Sequence, residues 1–300
     1  MTSTSTDRAI TSTSLSARPA TPTPFARRWF SRVTVTSVIT WFAGGCFGLL
    51  VFAVLGSVAI TSFATNWRAG WWPEGFTTQW YGQAWNNTGI SQALLVTFQV
   101  SVAVVLIALA AGVPAGYVLA RKNFPGKSAL MLTMLLPIIL PTMTYAVQLA
   151  AMMYRFGLGG SLPAVILMNL VPALPLVILI AVPFVEQISP DVENAAKVFG
   201  ANNMRLFTRV LLPLLRPGVV AAGILCLMRV LGQFELTFFV SNARTQTLVV
   251  TILGALSNSG GVPEPLVAAM TVFYMIIALI GLVITLRFSN PADALAGRGR

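Results

Sequence analysis

The chain has 300 residues, 56% hydrophobic and only 9% charged, where a soluble domain carries about 25% charged residues; a soluble globular fold is excluded. The formal net charge is +11, yet the bases lie between apolar runs, where the positive-inside rule puts them, so no nucleic-acid partner is expected. Histidine is absent and the eight acids are scattered without metal-site spacing; no catalytic residue, metal or cofactor is expected, and the chain reads as a non-enzyme.

Residues 1–32 are rich in Ser, Thr, Pro and Ala and carry Arg8, Arg18, Arg27, Arg28 and Arg32. Low hydrophobicity predicts a disordered tail. Six apolar runs follow, near Val33–Phe63, Ser91–Ala120, Ala129–Met153, Leu162–Val185, Pro217–Val240 and Leu266–Leu286. Each is long enough to cross a bilayer, which takes about 20 residues. The expected fold is therefore an all-α membrane protein with six transmembrane helices. Its expected parts are the tail (1–32), a first transmembrane helix (33–63), an outer aromatic loop (64–90), a five-span core (91–287) and a second tail (288–300).

Charge sets the orientation. Fifteen bases lie in the two tails, the second–third loop (Arg121, Lys122, Lys127) and the fourth–fifth loop (Lys197, Arg205, Arg209, Arg216). Only Arg68, Arg155 and Arg244 lie in the opposite loops. The asymmetry predicts that both termini are cytoplasmic. The outer loop holds Trp67, Trp71, Trp72, Trp80, Tyr81 and Trp85, a density expected of a membrane–water interface. Cys46 and Cys226 lie inside apolar runs and read as membrane-facing or core residues, not as a disulfide. Pro114, Pro137, Pro141, Pro172 and Pro175 punctuate the spans and are candidates for kinks.

The longest polar loop, "SPDVENAAKVFGANNMRLFTRVLLP" (189–213), lies between the fourth and fifth spans. Ser189 suits an N-cap and Pro190 the first helical position. Asp191 and Glu193 oppose the positive end of the helix dipole, and Gly200 suits the left-handed residue that ends a helix. A short helix is predicted over 190–199. Val192, Ala195, Ala196 and Phe199 share one face, with Glu193, Asn194 and Lys197 elsewhere. Two alanines on the apolar face suit close approach by a protein better than burial in lipid, where larger side chains would gain about 0.8 kcal/mol per CH₂.

This loop resembles the EAA loop of inner-membrane permease subunits of binding-protein-dependent ABC importers. The family pattern is Glu-Ala-Ala, three residues, Gly, nine residues, then Ile-x-Leu-Pro. Ala195, Ala196 and Gly200 match, as do Val210, Leu212 and Pro213. Asn194 stands where the motif's Glu is expected, with Glu193 just before it. Two readings follow: the charge has moved by one residue, or it is dispensable. "QALLVTF" (92–98) and "ARKNFPG" (120–126) resemble the start of the family's core and its second–third turn. The resemblance implies a type I importer fold, with 189–213 forming a cytoplasmic coupling helix gripped by a separate ATPase subunit. Glu193, Asn194, Ala195, Ala196, Gly200 and Pro213 would carry the coupling. It also implies a second permease subunit, identical or related, an extracytoplasmic solute-binding protein, and a bacterial plasma membrane location. "PGKS" (125–128) is not a phosphate-binding loop, because Arg121 occupies the first glycine position of that motif.

Arg229 lies twelve residues into the fifth run, about 18 Å at 1.5 Å per residue. A central arginine costs roughly 2.5–3.5 kcal/mol to insert, so it is expected to face a cavity or a partner. Arg229, Gln233 and Glu235 are the candidate pathway residues. Gln233, four residues on, is expected on the same helix face, and Glu235 on another. "MRVLGQFELTFFVSNARTQTL" (228–248) resembles permeases for polyamines, opines, phosphonates and ferric iron, and in part those for sulfate and molybdate; sugar permeases differ more here. A midplane cation ranks an anionic or chelated solute ahead of a polyamine. The alternatives are an ion-gradient-driven secondary transporter, which calls for membrane-embedded carboxylates, and a non-transporting membrane assembly subunit.

Overall fold

The computed structural model describes residues 35–65, 67, 70, 72–257 and 261–288. The expectations made for 1–32, for Arg68 and Trp71 and for 289–300 lie outside the described residues. The chain divides into two units, 1–53 and 54–300. The described part of the first unit is the opening stretch of α1 (Val35–Phe63), a helix that is apolar on all sides. Such a helix suits a membrane span.

The second unit is helical, and its described residues contain no strand beyond one isolated bridge, Ala64 to Phe76. Its elements are α2 (Gln79–Asn87), α3 (Ile90–Arg121), α4 (Lys127–Ile139), α5 (Thr142–Arg155), α6 (Leu162–Glu186) and α7 (Pro190–Val198). Then come α8 (Asn203–Arg205), a π-helical turn (Leu206–Leu211), α9 (Leu212–Leu214), α10 (Arg216–Leu231), α11 (Glu235–Val240), α12 (Leu248–Ser257) and α13 (Glu264–Phe288). Among the described residues, four helices are long and apolar enough to span a membrane, and the count rises to six if each of two bent pairs is one span.

Two expected spans are corrected, one by a bend and one by a gap. The third run breaks at Leu140–Pro141, where α4 and α5 meet at 98°. Pro141 supplies no N–H to continue the ladder, and Leu140 before it is extended, as a residue preceding proline prefers. Pro114, Pro137, Pro172 and Pro175 sit inside continuous helices. The fifth run ends as a regular helix at Leu231, and Gly232–Phe234 separate it from α11. At the start of α10, the chain turns through 75° relative to the 203–214 segment. There the Leu212 N–H bonds Phe207 O, the wider π register, next to Pro213.

The core forms around α3 and α6. Val96, Val100, Val104 and Ala108 recur every four residues on α3, and they pack in one cluster with Val165, Met168 and Val177 of α6 and Ala222 and Cys226 of α10. Two glycines bring α3 and α6 together. A Cβ at Gly112 would lie 2.7 Å from Val177 Cγ1, and one at Gly116 would lie 2.8 Å from Ala181 Cβ and 3.1 Å from Ile178 O. This small-xxx-small spacing lets helix backbones approach closely in a membrane. The spacing in "GVPAG" is its sequence signal, although composition and periodicity do not single it out.

A second cluster joins α2 to the start of α3, α12 and α13 through Ala84, Ile90, Leu248, Ile252 and Met270. Two aromatics of the loop turn inward here. Trp80 Nε1 donates to Ala64 O at 2.7 Å, and Tyr81 Oη and Ser62 Oγ lie 2.7 Å apart. Trp72 and Trp85 remain exposed. Part of the aromatic density therefore pins α2 against Phe273 of α13.

Gly116→Leu is expected to overpack the α3–α6 contact by about 1–3 kcal/mol and lower the unfolding temperature in detergent. Gly254→Ala, where an added Cβ meets nothing within 4 Å, is expected to be neutral or stabilising by about 0.5–1 kcal/mol. Equal melting temperatures for the two variants would contradict the close-packing account.

Candidate functional site

The ends of α7 are built as its sequence implies. Ser189 Oγ accepts the Asp191 N–H at 3.2 Å, and Pro190 begins the helix. Asp191 and Glu193 lie in the first turn and Lys197 in the last. At the other end, Gly200 N–H bonds Lys197 O at 2.9 Å and Ala201 N–H bonds Ala196 O at 3.0 Å. This is the Schellman pattern, which needs a left-handed residue. Gly200 provides it with φ +82°. A Cβ at this position would meet nothing within 4 Å, so the backbone conformation, not crowding within the chain, calls for glycine.

α7 buries a charge and exposes apolar side chains beside its exposed Asp191, Asn194 and Lys197. Its buried residue is Glu193, while Phe199 is 91% exposed and Val198 85% exposed. Val192 and Ala195 are also exposed, and Ala196 is half-buried. Glu193 is held by α3. Arg121 Nε donates to its Oε1 at 2.6 Å, and Tyr117 Oη donates to its Oε2 at 2.7 Å. Arg121 Nη2 also donates to Ile188 O, two residues past the end of α6. Buried charge is costly unless paired and hydrogen-bonded, and both carboxylate oxygens here have partners. Asn194, one residue on, is exposed. A step of one residue turns about 100° around a helix, so the motif's carboxylate position faces outward with an amide while the carboxylate faces inward. Pro213 lies past the π turn, on the path from α7 into α10.

The candidate pathway residues occupy the break after α10. Arg229 is in the last turn of that helix, where a cation suits the negative end of the dipole. Its Nε is buried and has no hydrogen-bond partner among the described residues. Gln233 lies two residues beyond the helix end, and its N–H bonds Val230 O at 3.2 Å. Gln233 Nε2 donates to Glu235 Oε2 at 2.9 Å, bringing together two side chains expected on different faces. Nearby in sequence, Thr237 Oγ1 accepts from Asn169 Nδ2 at 3.2 Å, and this buried pair ties α11 to α6. Asn169 is a lone amide in an apolar 25-residue helix, a signal that hydropathy averaging passes over. Tyr117 and Arg121 are likewise members of the Glu193 cluster that sequence reasoning does not pick out as site residues. Among the described residues no group of three Cys, Asp or Glu side chains could hold a metal ion.

Arg121→Met and Glu193→Ala are each expected to cost about 3–5 kcal/mol, because each strands a buried charge. The double variant is expected to lose less than the sum, since neither charge is left behind. Unfolding in detergent measures all three, and strict additivity would contradict the pairing.

A family model described as "Binding-protein-dependent transport system inner membrane component" matches residues 112–290. The molybdenum transport system permease protein ModB of Haemophilus influenzae is 32% identical over 69% of this chain and 96% of its own length. The diacetylchitobiose uptake system permease protein NgcG of Streptomyces coelicolor is 26% identical over 77% of this chain and 76% of its own. A bacterial ABC transporter involved in the import of the acidic polysaccharide alginate shares the fold, with a TM-score of 0.69, 16% identity, and coverage of 84% of this chain and 96% of that one. The chain belongs to the inner-membrane components of binding-protein-dependent transport systems, the permease subunits of ABC importers.

Proposed function

We propose that this permease carries a small anionic solute inward and takes its energy from a separate ATPase gripping α7. The observation that carries the reading is the surface of α7. This short helix buries its carboxylate and, with Phe199 just past its end, leaves Phe199, Val198 and Val192 exposed, apolar side chains that a partner can cover. A protein groove supplies that partner, and Ala195, Ala196 and Gly200 leave room for it. The distribution of bases supports a cytoplasmic location for α7 and both termini.

In this reading a pair of ATPase chains closes on ATP and displaces α7. Glu193 passes the displacement to Arg121 and Tyr117 of α3, and the Arg121 bond to Ile188 O passes it to the end of α6. Close packing at Gly112 and Gly116 makes α3 and α6 move together. A second permease subunit completes the pathway by alternating access, and an extracytoplasmic binding protein delivers the solute.

Arg229 favours an anion. Its unpaired Nε is a donor held in a membrane-spanning helix, while the nearest acid in sequence, Glu235, is bonded to Gln233. The molybdenum permease among the relatives agrees with an oxyanion, and the diacetylchitobiose permease keeps a neutral sugar as the second reading.

Gly200→Leu and Ala196→Trp are each expected to abolish solute uptake at unchanged membrane levels. Normal uptake by both variants would overturn the docking role. Arg229→Met is expected to reduce transport more than abundance, measured by uptake and immunodetection on the same membranes; equal losses would assign Arg229 to packing.

A further inference from the structure

Next to α7 the chain forms a hollow of about 270 Å³. Ala196, Phe199 and Gly200 line it from the α7 side, and Arg205, Arg209 and Val210 from the following segment. One wall is thus apolar, and the other carries Arg205 and Arg209 beside Val210. The acids of the same loop do not neutralise them. Glu193 is buried and held by Arg121 and Tyr117, and among the described residues that is the one ion pair. Asp191 is at the opposite end of α7, within 3.2 Å of Ser189 Oγ. Asn202 Oδ1 accepts the backbone N–H of Arg205, not its side chain. Lys197 is exposed as well, so the outward side of the loop carries Lys197, Arg205 and Arg209 against Asp191.

We propose that this hollow is a socket for an acidic side chain of the ATPase, seated beside an apolar one. The proposal rests on the reading of α7 as the element the ATPase grips, and it specifies the chemistry of that groove. Phe199 and Ala196 ask for an apolar neighbour, and Arg205 and Arg209 for a carboxylate. The motif's own carboxylate position is Asn194, which brings no charge to the contact. The ionic part of the interface therefore runs from cations on the permease to acids on the motor. An anionic phospholipid could meet the same two arginines, and the nanodisc arm below separates it from an acid of the ATPase.

The test uses the full chain co-expressed with its own ATPase and purified as the complex. Arg205→Glu combined with Arg209→Glu is expected to lower ATPase retention about tenfold, a change of roughly 1.4 kcal/mol. Arg205→Gln with Arg209→Gln is expected to fall between, and acid-to-lysine changes in the ATPase groove to restore binding to the reversed permease. In the wild type, rising salt is expected to weaken retention, a readout that needs no variant and so survives misfolding of the double reversal. Wild-type retention by the reversed variant, alongside loss in Gly200→Leu, would overturn the acidic socket and leave the docking of α7 standing. Full retention by both would overturn the docking reading too. Full retention by the reversed variant, with activity responding only to anionic lipid in nanodiscs, would assign the arginines to the membrane and overturn the socket.

Discussion

The Arg121–Glu193 ion pair is the contact on which the geometry of α7 depends. It links side chains 72 residues apart, and both are largely shielded from solvent. Taking a carboxylate out of water is costly, and the cost is offset only when charge and hydrogen bonds are matched. Here one oxygen meets a guanidinium and the other a phenol. That requirement fixes which side of the short helix points inward. Because the carboxylate points inward, Phe199, Val198 and Val192 point out. The surface proposed to meet a partner is in this sense a consequence of a buried charge.

The same pair sets where a force on α7 would go. Arg121 ends α3 and also holds Ile188 O, so two long helices converge on one guanidinium. Their axes are held close by Gly112 and Gly116, where even a methyl group would collide with α6. Interiors packed this tightly shift as units instead of deforming. The helices are interrupted elsewhere: at the 98° corner after Leu140, at the π turn with its 75° change of direction, and at the Gly232–Phe234 gap. The chain combines a stiff pair of helices with bent connections around it.

Much of this was legible in the residues, and the rest was not for identifiable reasons. Helix ends read well because caps are local: Ser189, Pro190 and Gly200 act within a few residues of themselves. Long apolar runs read well because bilayer thickness imposes their length. The direction of Glu193 did not. Periodicity puts it on the polar side of α7, which in an isolated helix means the solvent side, and nothing local announces that Arg121 comes to meet it. The break after Leu231 was hidden because apolar residues resume at Leu236–Val240, so hydropathy averaged over a span-length window bridges the gap. Beyond that break Gln233 bonds Glu235. Helix α2 escaped notice because its Trp and Tyr side chains read as interfacial, although Trp80 and Tyr81 turn toward protein.

The central claim is that α7 and the end of α3 move as one body during transport. Spin labels at Lys122 and Lys197 in the assembled transporter, read by pulsed electron resonance, measure it directly. The account predicts a single narrow distance distribution that stays in place between nucleotide-free and ATP-trapped states, and that broadens when Glu193 is changed to Ala. A distribution that shifts with nucleotide in the unaltered chain, or one indifferent to the loss of Glu193, would contradict it.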